Sequence, residues 1–182
     1  MRPVRYNVAA TLDGYIAGPH GEYDWIPHDQ TVDFGALFAN VDTVLLGRKT
    51  YDVVRAQGGA LPWTSGARVF VFSQTLDPAE HPGVTVVADH PGETVAALRA
   101  ESGSGDIWLF GGGALFATLL AARQVDAVEV TVVPMLLGGG VPLLPVGAER
   151  TSLALTHTHV YPSGMVALHY AVTYDAPPGN LI

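Results

Sequence analysis

Short apolar runs alternate with segments of helical spacing over most of this 182-residue chain. The apolar runs cover residues 4–11, 41–47, 67–73, 83–88, 106–110 and 125–136. Between them, segments with apolar residues at helical spacing cover residues 29–40, 48–57, 91–102 and 114–123. Strands joined through helices run parallel, because each helix carries the chain back to the edge of the sheet where the previous strand began. The alternation therefore predicts an α/β fold on a largely parallel sheet.

The last part of the chain has a different period. Residues 153–160 and 165–174 form two alternating runs joined by the turn sequence "YPSG". In the second run one face carries Val166, Leu168, Tyr170, Val172 and Tyr174. A period of two predicts an antiparallel hairpin with one face buried. In total we expect a single domain over residues 1–182, with about eight strands in one mixed sheet and about four helices.

The composition excludes several classes of site. The chain has no cysteine, so it has no disulfide, thiolate metal site or cysteine nucleophile. A net charge of −8 without a run of Lys or Arg argues against nucleic-acid or membrane partners. His157 and His159 share a strand face, but no third ligand stands near them in the sequence, and we predict no metal site. Without a signal peptide or a membrane-spanning stretch, we expect a soluble cytoplasmic protein.

Three glycines stand in "IWLFGGGALFATLL", residues 107–120, between a predicted strand and a predicted helix. Bare backbone at a helix N-terminus can hold an anion such as a pyrophosphate. It can equally serve a tight strand-to-helix turn, because glycine tolerates a positive φ. The dinucleotide fingerprint G-x-G-x-x-G is incomplete, since Phe116 stands in place of its last glycine. A conventional Rossmann domain is therefore disfavoured.

A second strand-to-helix junction lies in "LLGRKTYD", residues 45–52. Arg48 and Lys49 fall in the first helical turn, where positive charge opposes the helix dipole unless an anion compensates it. Ser73 ends the next predicted strand. Ligands of open α/β sheets bind outside the carboxyl ends of the strands, where all three features are expected to meet. NADP, with a pyrophosphate and a 2′-phosphate, would suit two such helix ends, although solvated charges are the simpler alternative.

The order of six segments resembles the dihydrofolate reductase-like superfamily. These segments are "VAATLDGYIAG", "DWIPHD", "DTVLLGRKTYD", "VFVFSQTL", "IWLFGGGALFATLL" and "VVPMLLGGGVPLLP". They are most similar to the branch that contains the C-terminal reductase domain of riboflavin biosynthesis and many small stand-alone proteins. The resemblance covers nearly the whole chain, and it implies the fold, an NADPH cofactor and a reductase activity.

The resemblance also implies roles for individual residues. For the pyrophosphate it implies Gly111, Gly112, Gly113, Ala114 and Leu115, with a cis peptide expected between Gly111 and Gly112. For the adenosine end and its 2′-phosphate it implies Gly47, Arg48, Lys49, Thr50, Ser73 and Gln74. Beside the nicotinamide it places Ala9, Ile16 and Ala17.

The substrate side has several open alternatives. Asp13 and Asp29 are the catalytic candidates, with Asp33 as the alternative to Asp29 for the acidic residue that dihydrofolate reductases carry on their first helix. Asp13 is equally well explained as a turn former next to Gly14. Trp25, Tyr51 and Pro134 are assigned to substrate binding, with core packing as the alternative for Trp25. No residue of "PHGEYDWIPH" matches the basic side chains that hold a ribose phosphate in the riboflavin branch.

These observations predict an NADPH-dependent reductase that transfers a hydride to a small heterocyclic substrate of pterin or pyrimidine type. One alternative is a non-catalytic NADP-binding or interaction protein of the same fold. Another is the riboflavin-pathway 5-amino-6-(5-phosphoribosylamino)uracil reductase itself. The apolar segments "LLGGGVPLLP" and "NLI" further predict a homodimer.

Overall fold

A computed structural model describes residues 1–56, 58, 66–103 and 105–174 of the chain. The strands are β1 (Val4–Thr11), β2 (Tyr15–Ala17), β3 (Val41–Gly47), β4 (Arg68–Phe72), β5 (Thr85–Val87), β6 (Asp106–Gly111), β7 (Ala127–Val133), β8 (Val141–Pro142), β9 (Ser152–Val160) and β10 (Val166–Thr173). The helices are α1 (Phe34–Phe38), α2 (Arg48–Ala56), α3 (Pro91–Ala100) and α4 (Gly113–Ala121), with a 3₁₀ turn at Pro78–Glu80. The tail "NLI" lies outside the described residues.

Eight strands form one sheet in the order β5-β4-β3-β6-β1-β7-β10-β9. Pairing is parallel from β5 to β7, and β10 pairs antiparallel with both β7 and β9. The predicted mostly parallel sheet with a terminal hairpin is therefore confirmed, and so is the expectation of four helices. The two-stranded sheet of β2 and β8 was not predicted. Strands of three and two residues are too short to show a period in the sequence.

One face of the sheet packs against α3 and α4, and we call it the covered face. Side chains from the sheet and from both helices are buried there in one apolar cluster. The sheet contributes Val4, Tyr6 and Val128, and the helices contribute Leu98 and Leu119. Tyr6 stacks on Phe116 of α4 with 4.0 Å between ring centroids. This face provides the main core.

The opposite face is divided in two. Near β3, β4 and β6 it is covered by α1 and α2, with Phe38 of α1 stacked on Trp108 of β6 at 3.9 Å between ring centroids. Farther along, β1, β7, β9 and β10 turn polar side chains away from α3 and α4. We call this second part the polar face; its side chains are Arg5, Asn7, Glu129, His157 and His169.

The hairpin is less buried than its period suggested. The tight turn joins β9 to β10 through hydrogen bonds between Tyr161 and Met165 and from Gly164 to Tyr161. Val172 and Tyr174 are partly buried and pack on the core of the covered face, as expected. The outer strand β9 is exposed along nearly its whole length. In an edge strand neither face needs to be buried when no further layer covers it.

Candidate functional site

Two neighbouring strands send their chains to opposite sides of the sheet. β3 continues into α2 on the face opposite the covered face, whereas β6 continues into α4 on the covered face. The two strands are paired in parallel, so their carboxyl ends lie together. In open α/β sheets such a reversal leaves a crevice in which ligands bind. The crevice between Gly47 and Gly111 is therefore the first candidate site.

The start of α4 offers bare backbone to this crevice. Gly112 is the N-cap with φ +101°, and no side chain caps its helix. A Cβ at Gly112 would stand 3.5 Å from Gly47 Cα and 3.5 Å from Thr50 Oγ1. A Cβ at Gly113 would come 2.8 Å from the Pro142 carbonyl oxygen, so packing alone requires that glycine. The three glycines thus serve both a tight junction and an uncapped helix end that fits an anion.

One expectation for this turn is wrong. The peptide between Gly111 and Gly112 is trans, as are all peptides of the described residues. The general preference for trans is strong in peptides that lack proline. Here the positive φ of Gly112 turns the chain into the helix instead.

The start of α2 carries the predicted adenosine-end residues. Arg48 Nε lies 2.8 Å from Asp52 Oδ2, one helical turn away, so a carboxylate already balances the charge that suggested an anion. Lys49 and Gln74 are exposed at the same edge. The Ser73 hydroxyl accepts hydrogen bonds from the backbone N–H groups of Thr75 and Leu76, at 3.2 Å each.

Asp13 follows β1 and contacts the glycine-rich loop 134–140. Its carboxylate accepts the Gly138 N–H at 2.7 Å, the Leu137 N–H at 3.0 Å and the Thr11 hydroxyl at 2.6 Å. The Thr11 hydroxyl, followed by these backbone groups, lowers the pKa of Asp13. The loop leads into β8, which pairs with β2 and lies against Gly113. Asp13 therefore ties the loop above α4 to the end of β1.

Asp29 is held by its own turn. Its Oδ1 accepts the Thr31 N–H at 2.8 Å and the Thr31 hydroxyl at 2.6 Å. Hydrogen bonds from Ser163 and Thr31 lower the pKa of Asp29 to about 2. At neutral pH this carboxyl is ionised and accepts hydrogen bonds.

The remaining predicted residues fall into three places. Ala9 packs beside Trp25, which is 9 % exposed in a cluster with Val133 and Met165. Ile16 packs on the core of the covered face, and the Ala17 carbonyl leaves no room for a side chain at Gly140. The hydroxyl of Tyr51 is buried 3.1 Å from His81 Nδ1, in the core under α2.

A cleft of about 390 Å³ lies between α1 and β9. It is lined by Arg5, Thr31, Asp33, Ala36, Leu37, His159 and Tyr161. Asp33 was the alternative to Asp29, and none of the other lining residues was a predicted catalytic, cofactor or substrate residue. α1 and β9 are separated by more than a hundred residues of sequence, so no local motif joins the two walls.

A charged cluster lies at the Arg5 side of the cleft. Arg5 makes a two-pronged contact with Glu129, at 2.8 Å and 2.9 Å, and a third contact with Asp106 at 2.8 Å. Asn7 Nδ2 also donates to Glu129 Oε2 at 2.8 Å. Burial alone would raise the pKa of Glu129, but the hydrogen bonds from Arg5 and Asn7 outweigh it and the pKa is lowered. Charged residues inside apolar strands, such as Glu129 in "AVEVTVV", were the one sequence signal for this cluster.

Comparison with known proteins decides the family. The family described as "RibD C-terminal domain" matches residues 2–167. The chain belongs to the RibD C-terminal domain family. It is 31 % identical to the uncharacterized protein YyaP of Bacillus subtilis, over 93 % of this chain and 95 % of the relative. A putative riboflavin biosynthesis protein of Shewanella sp. PV-4 has a similar structure, with a TM-score of 0.79, 29 % identity and coverage of 95 % and 99 %.

The fold extends beyond this family. Dihydrofolate reductase from Enterococcus faecalis, solved in a complex with NADP(H), matches with a TM-score of 0.67 and 20 % identity. It covers 94 % of this chain and 96 % of that one. The predicted dihydrofolate reductase-like fold is thus confirmed. The RibD C-terminal domain family places the chain among proteins of reductase type.

The described part of this RibD C-terminal domain contains neither a metal-binding cluster nor a helix that could span a membrane. Over residues 1–56, 58, 66–103 and 105–174, no group of three or more His, Asp or Glu side chains is arranged to hold a metal ion. In the same ranges no helix is long and apolar enough to span a membrane.

Proposed function

We propose that this protein is an NADPH-dependent reductase that transfers a hydride to a small heterocyclic substrate of pterin or pyrimidine type. The observation that carries the proposal is the crevice between β3 and β6, where the uncapped start of α4 meets the start of α2. Family membership supports the reductase class. When bound, NADPH would supply the hydride, and the protein would bind and orient both reactants.

The residues at the crevice suit a dinucleotide phosphate. Backbone N–H groups of Gly113, Ala114 and Leu115 are the first of α4, and none receives a side-chain cap. We assign the pyrophosphate to these groups and the 2′-phosphate to Arg48, which would exchange Asp52 for the phosphate. Ala9 lies on β1, which pairs with β6, and packs against the cluster of Trp25, Val133 and Met165. We place the nicotinamide there.

Neither predicted catalytic carboxyl holds a proton at neutral pH. The pKa of Asp13 is lowered by Thr11 and by the loop, and that of Asp29 lies at about 2. A general acid works best when its pKa is near the operating pH. We therefore assign both carboxylates to positioning, Asp13 for the loop over α4 and Asp29 for the turn before α1.

The test is calorimetric titration with NADPH. We expect Gly112→Val to abolish binding while the protein stays folded, because a side chain at φ +101° strains the turn that presents the N–H groups. Gly83→Val is the matched control, since a Cβ there meets nothing within 4 Å. Unchanged affinity in Gly112→Val would contradict the phosphate site.

Measurements of turnover and of growth distinguish two alternative functions. A non-catalytic NADP-binding protein would bind NADPH without oxidising it in the presence of pterins or ribosylamino-pyrimidines. The riboflavin-pathway reductase would restore growth of a strain that requires riboflavin. Loss of NADPH absorbance with a non-pathway heterocycle, without such rescue, is the outcome we expect.

We further propose a homodimer with two-fold symmetry. On the outer strand β9, Leu155 and Val160 are 57 % and 68 % exposed, and Leu136 in the loop before β8 is 69 % exposed. An edge strand with apolar side chains and no charged residue is poorly protected as a monomer. Light scattering at micromolar concentration should give about twice the monomer mass of 19.1 kDa. A value near the monomer mass would contradict the dimer.

A further inference from the structure

The cleft between α1 and β9 has walls that suit a flat ring. Ala36 and Leu37 of α1 line one side. His159 and Tyr161 line the other, and their rings meet edge to face with 4.6 Å between centroids. Aromatic and aliphatic walls favour ring compounds, which bury large apolar surfaces against them.

The charges around the cleft disfavour an anion. Among the described residues that line the cleft, Arg5 is the only Lys or Arg, and its guanidinium is already engaged by Glu129 and Asp106. Two carboxylates around one guanidinium leave the cluster with a net charge of about −1 at neutral pH. Asp33 adds a further carboxylate at the rim, where it caps α1 through the Ala36 N–H. A phosphate in the cleft would face this excess of negative charge.

Among the described residues, Arg2 also lies near Asp106, but it is itself paired with Asp42 and Glu101. His169 lies 3.9 Å from Glu129, but its burial lowers its pKa, so it is neutral at neutral pH. His157 packs edge to face on His169 from β9. Among the described residues, the polar face therefore contributes acceptors and imidazole rings, together with the engaged guanidinium of Arg5.

Resting on the proposed reductase function, we propose that this cleft holds the ring to be reduced, and that this substrate is a flat heterocycle without a phosphate or other anionic group. The phosphate-bearing substrate 5-amino-6-(5-phosphoribosylamino)uracil is thereby excluded. The substrate class of this chain differs in charge from that of the riboflavin-pathway reductase.

The experiment compares two probes that differ in one phosphate. Calorimetry measures the binding of 5-amino-6-ribitylaminouracil and of its 5′-phosphate to the full chain, with and without NADPH. We expect the compound without phosphate to bind at least about tenfold tighter. Glu129→Gln should strengthen binding of the phosphate form alone, because Arg5 then loses one of its two carboxylate partners. Glu93→Gln, an equal charge change on α3, should leave the ratio of the two affinities unchanged.

Two further variants keep the test informative if Glu129→Gln fails to fold. Asp33→Asn retains the cap of α1 while removing a charge, and it should reduce the discrimination by about two- to threefold. His159→Ala changes an exposed strand residue and should weaken the compound without phosphate.

The outcomes separate this proposal from the function on which it rests. Equal or tighter binding of the phosphate form by the unmodified protein would overturn it, as would binding of neither probe. Absence of NADPH binding would overturn the reductase instead, while the relative affinity of the two probes would still be measured. If His159→Ala changes neither affinity, the substrate ring does not bind in this cleft.

Discussion

The covered face and the polar face are made by the same strands but differ in chemistry. In β1, Val4 and Tyr6 are fully buried towards α3 and α4. Arg5 and Asn7, which alternate with them along the strand, point to the other side. In β7, Val128 and Val130 alternate with Glu129 in the same way. Period-two alternation normally separates core from solvent. Here it separates a packed core from a charged cluster beside a cleft.

From this difference we infer that the covered face contributes mainly to stability and the polar face mainly to ligand preference. Side chains on the covered face meet other side chains on all sides, so their loss leaves a cavity. Side chains on the polar face meet partners within a hydrogen-bonded cluster and border open volume. Mutations on the first face should change stability, and those on the second should change ligand preference with smaller stability effects.

The largest effect is expected from Phe116→Ala on the covered face. Phe116 is 4 % exposed and stacks on Tyr6, so truncation should lower the free energy of unfolding by about 3–5 kcal/mol. Urea denaturation measures it. Val146→Ala, in the exposed segment between β8 and β9, is the control and should change stability by less than about 0.5 kcal/mol. Equal losses in the free energy of unfolding would contradict the difference between the covered face and the exposed surface.

Glu129→Gln on the polar face should cost about 1–3 kcal/mol, because Glu129 is buried and its charge is satisfied by Arg5 and Asn7. The pKa of Glu129 is lowered in the folded protein, so its contribution is present above the unfolded pKa of about 4.3 and is lost as the pH falls through the folded pKa. The stability difference between the two proteins should therefore shrink below about pH 4. A difference that stays constant from pH 7 to pH 3 would show that the carboxylate charge is not involved.

Arg48→Ala should affect binding and leave stability nearly unchanged. Its pair with Asp52 is exposed, and such pairs contribute about 0.3–0.5 kcal/mol. If Arg48 reads the 2′-phosphate, the variant should lose about ten- to a hundredfold in NADPH affinity and nothing for NADH. Lys49→Ala should matter less, because an ammonium cannot make the forked contact of a guanidinium. Equal weakening for both nucleotides would remove Arg48 from this role.

The smallest effect on stability is expected from Asp13→Ala. The carboxylate is exposed, but it accepts two N–H groups of the loop before β8. Hydrogen exchange at the amides of Leu137 and Gly138 should become faster, because those amides lose their acceptor. Asp13→Asn retains one side-chain oxygen and should restore part of the protection. If a proton-donor role were correct instead, both variants would abolish turnover and leave exchange of the loop unchanged.

Several elements could be predicted because their signals are local. The apolar run ending at Gly47 predicted β3, and the following polar segment predicted α2, both close to their observed bounds. The hairpin was predicted from its period and its turn. The helix after the three glycines was predicted from the run of apolar helix formers that follows them. Each of these depends on the order of neighbouring residues, which determines backbone preference and amphipathic period.

The site could be predicted only in part. The glycine turn and the two strand ends were found because they lie at junctions visible in the sequence. The partner of Arg48 was assigned to an anion, although Asp52 lies at the i+4 position where helix salt bridges form. Tyr51 was expected at the substrate, but its hydroxyl lies with His81, thirty residues away in the chain.

By itself, the sequence determined the fold class, the order of the elements and the reductase-type family, because these follow from local periods and ordered motifs. Only the tertiary structure decided that Arg5, Asp106 and Glu129 form one cluster. These residues lie on three adjacent strands whose pairing is set by long-range packing, which no local pattern encodes. The charge of the cleft follows from that pairing.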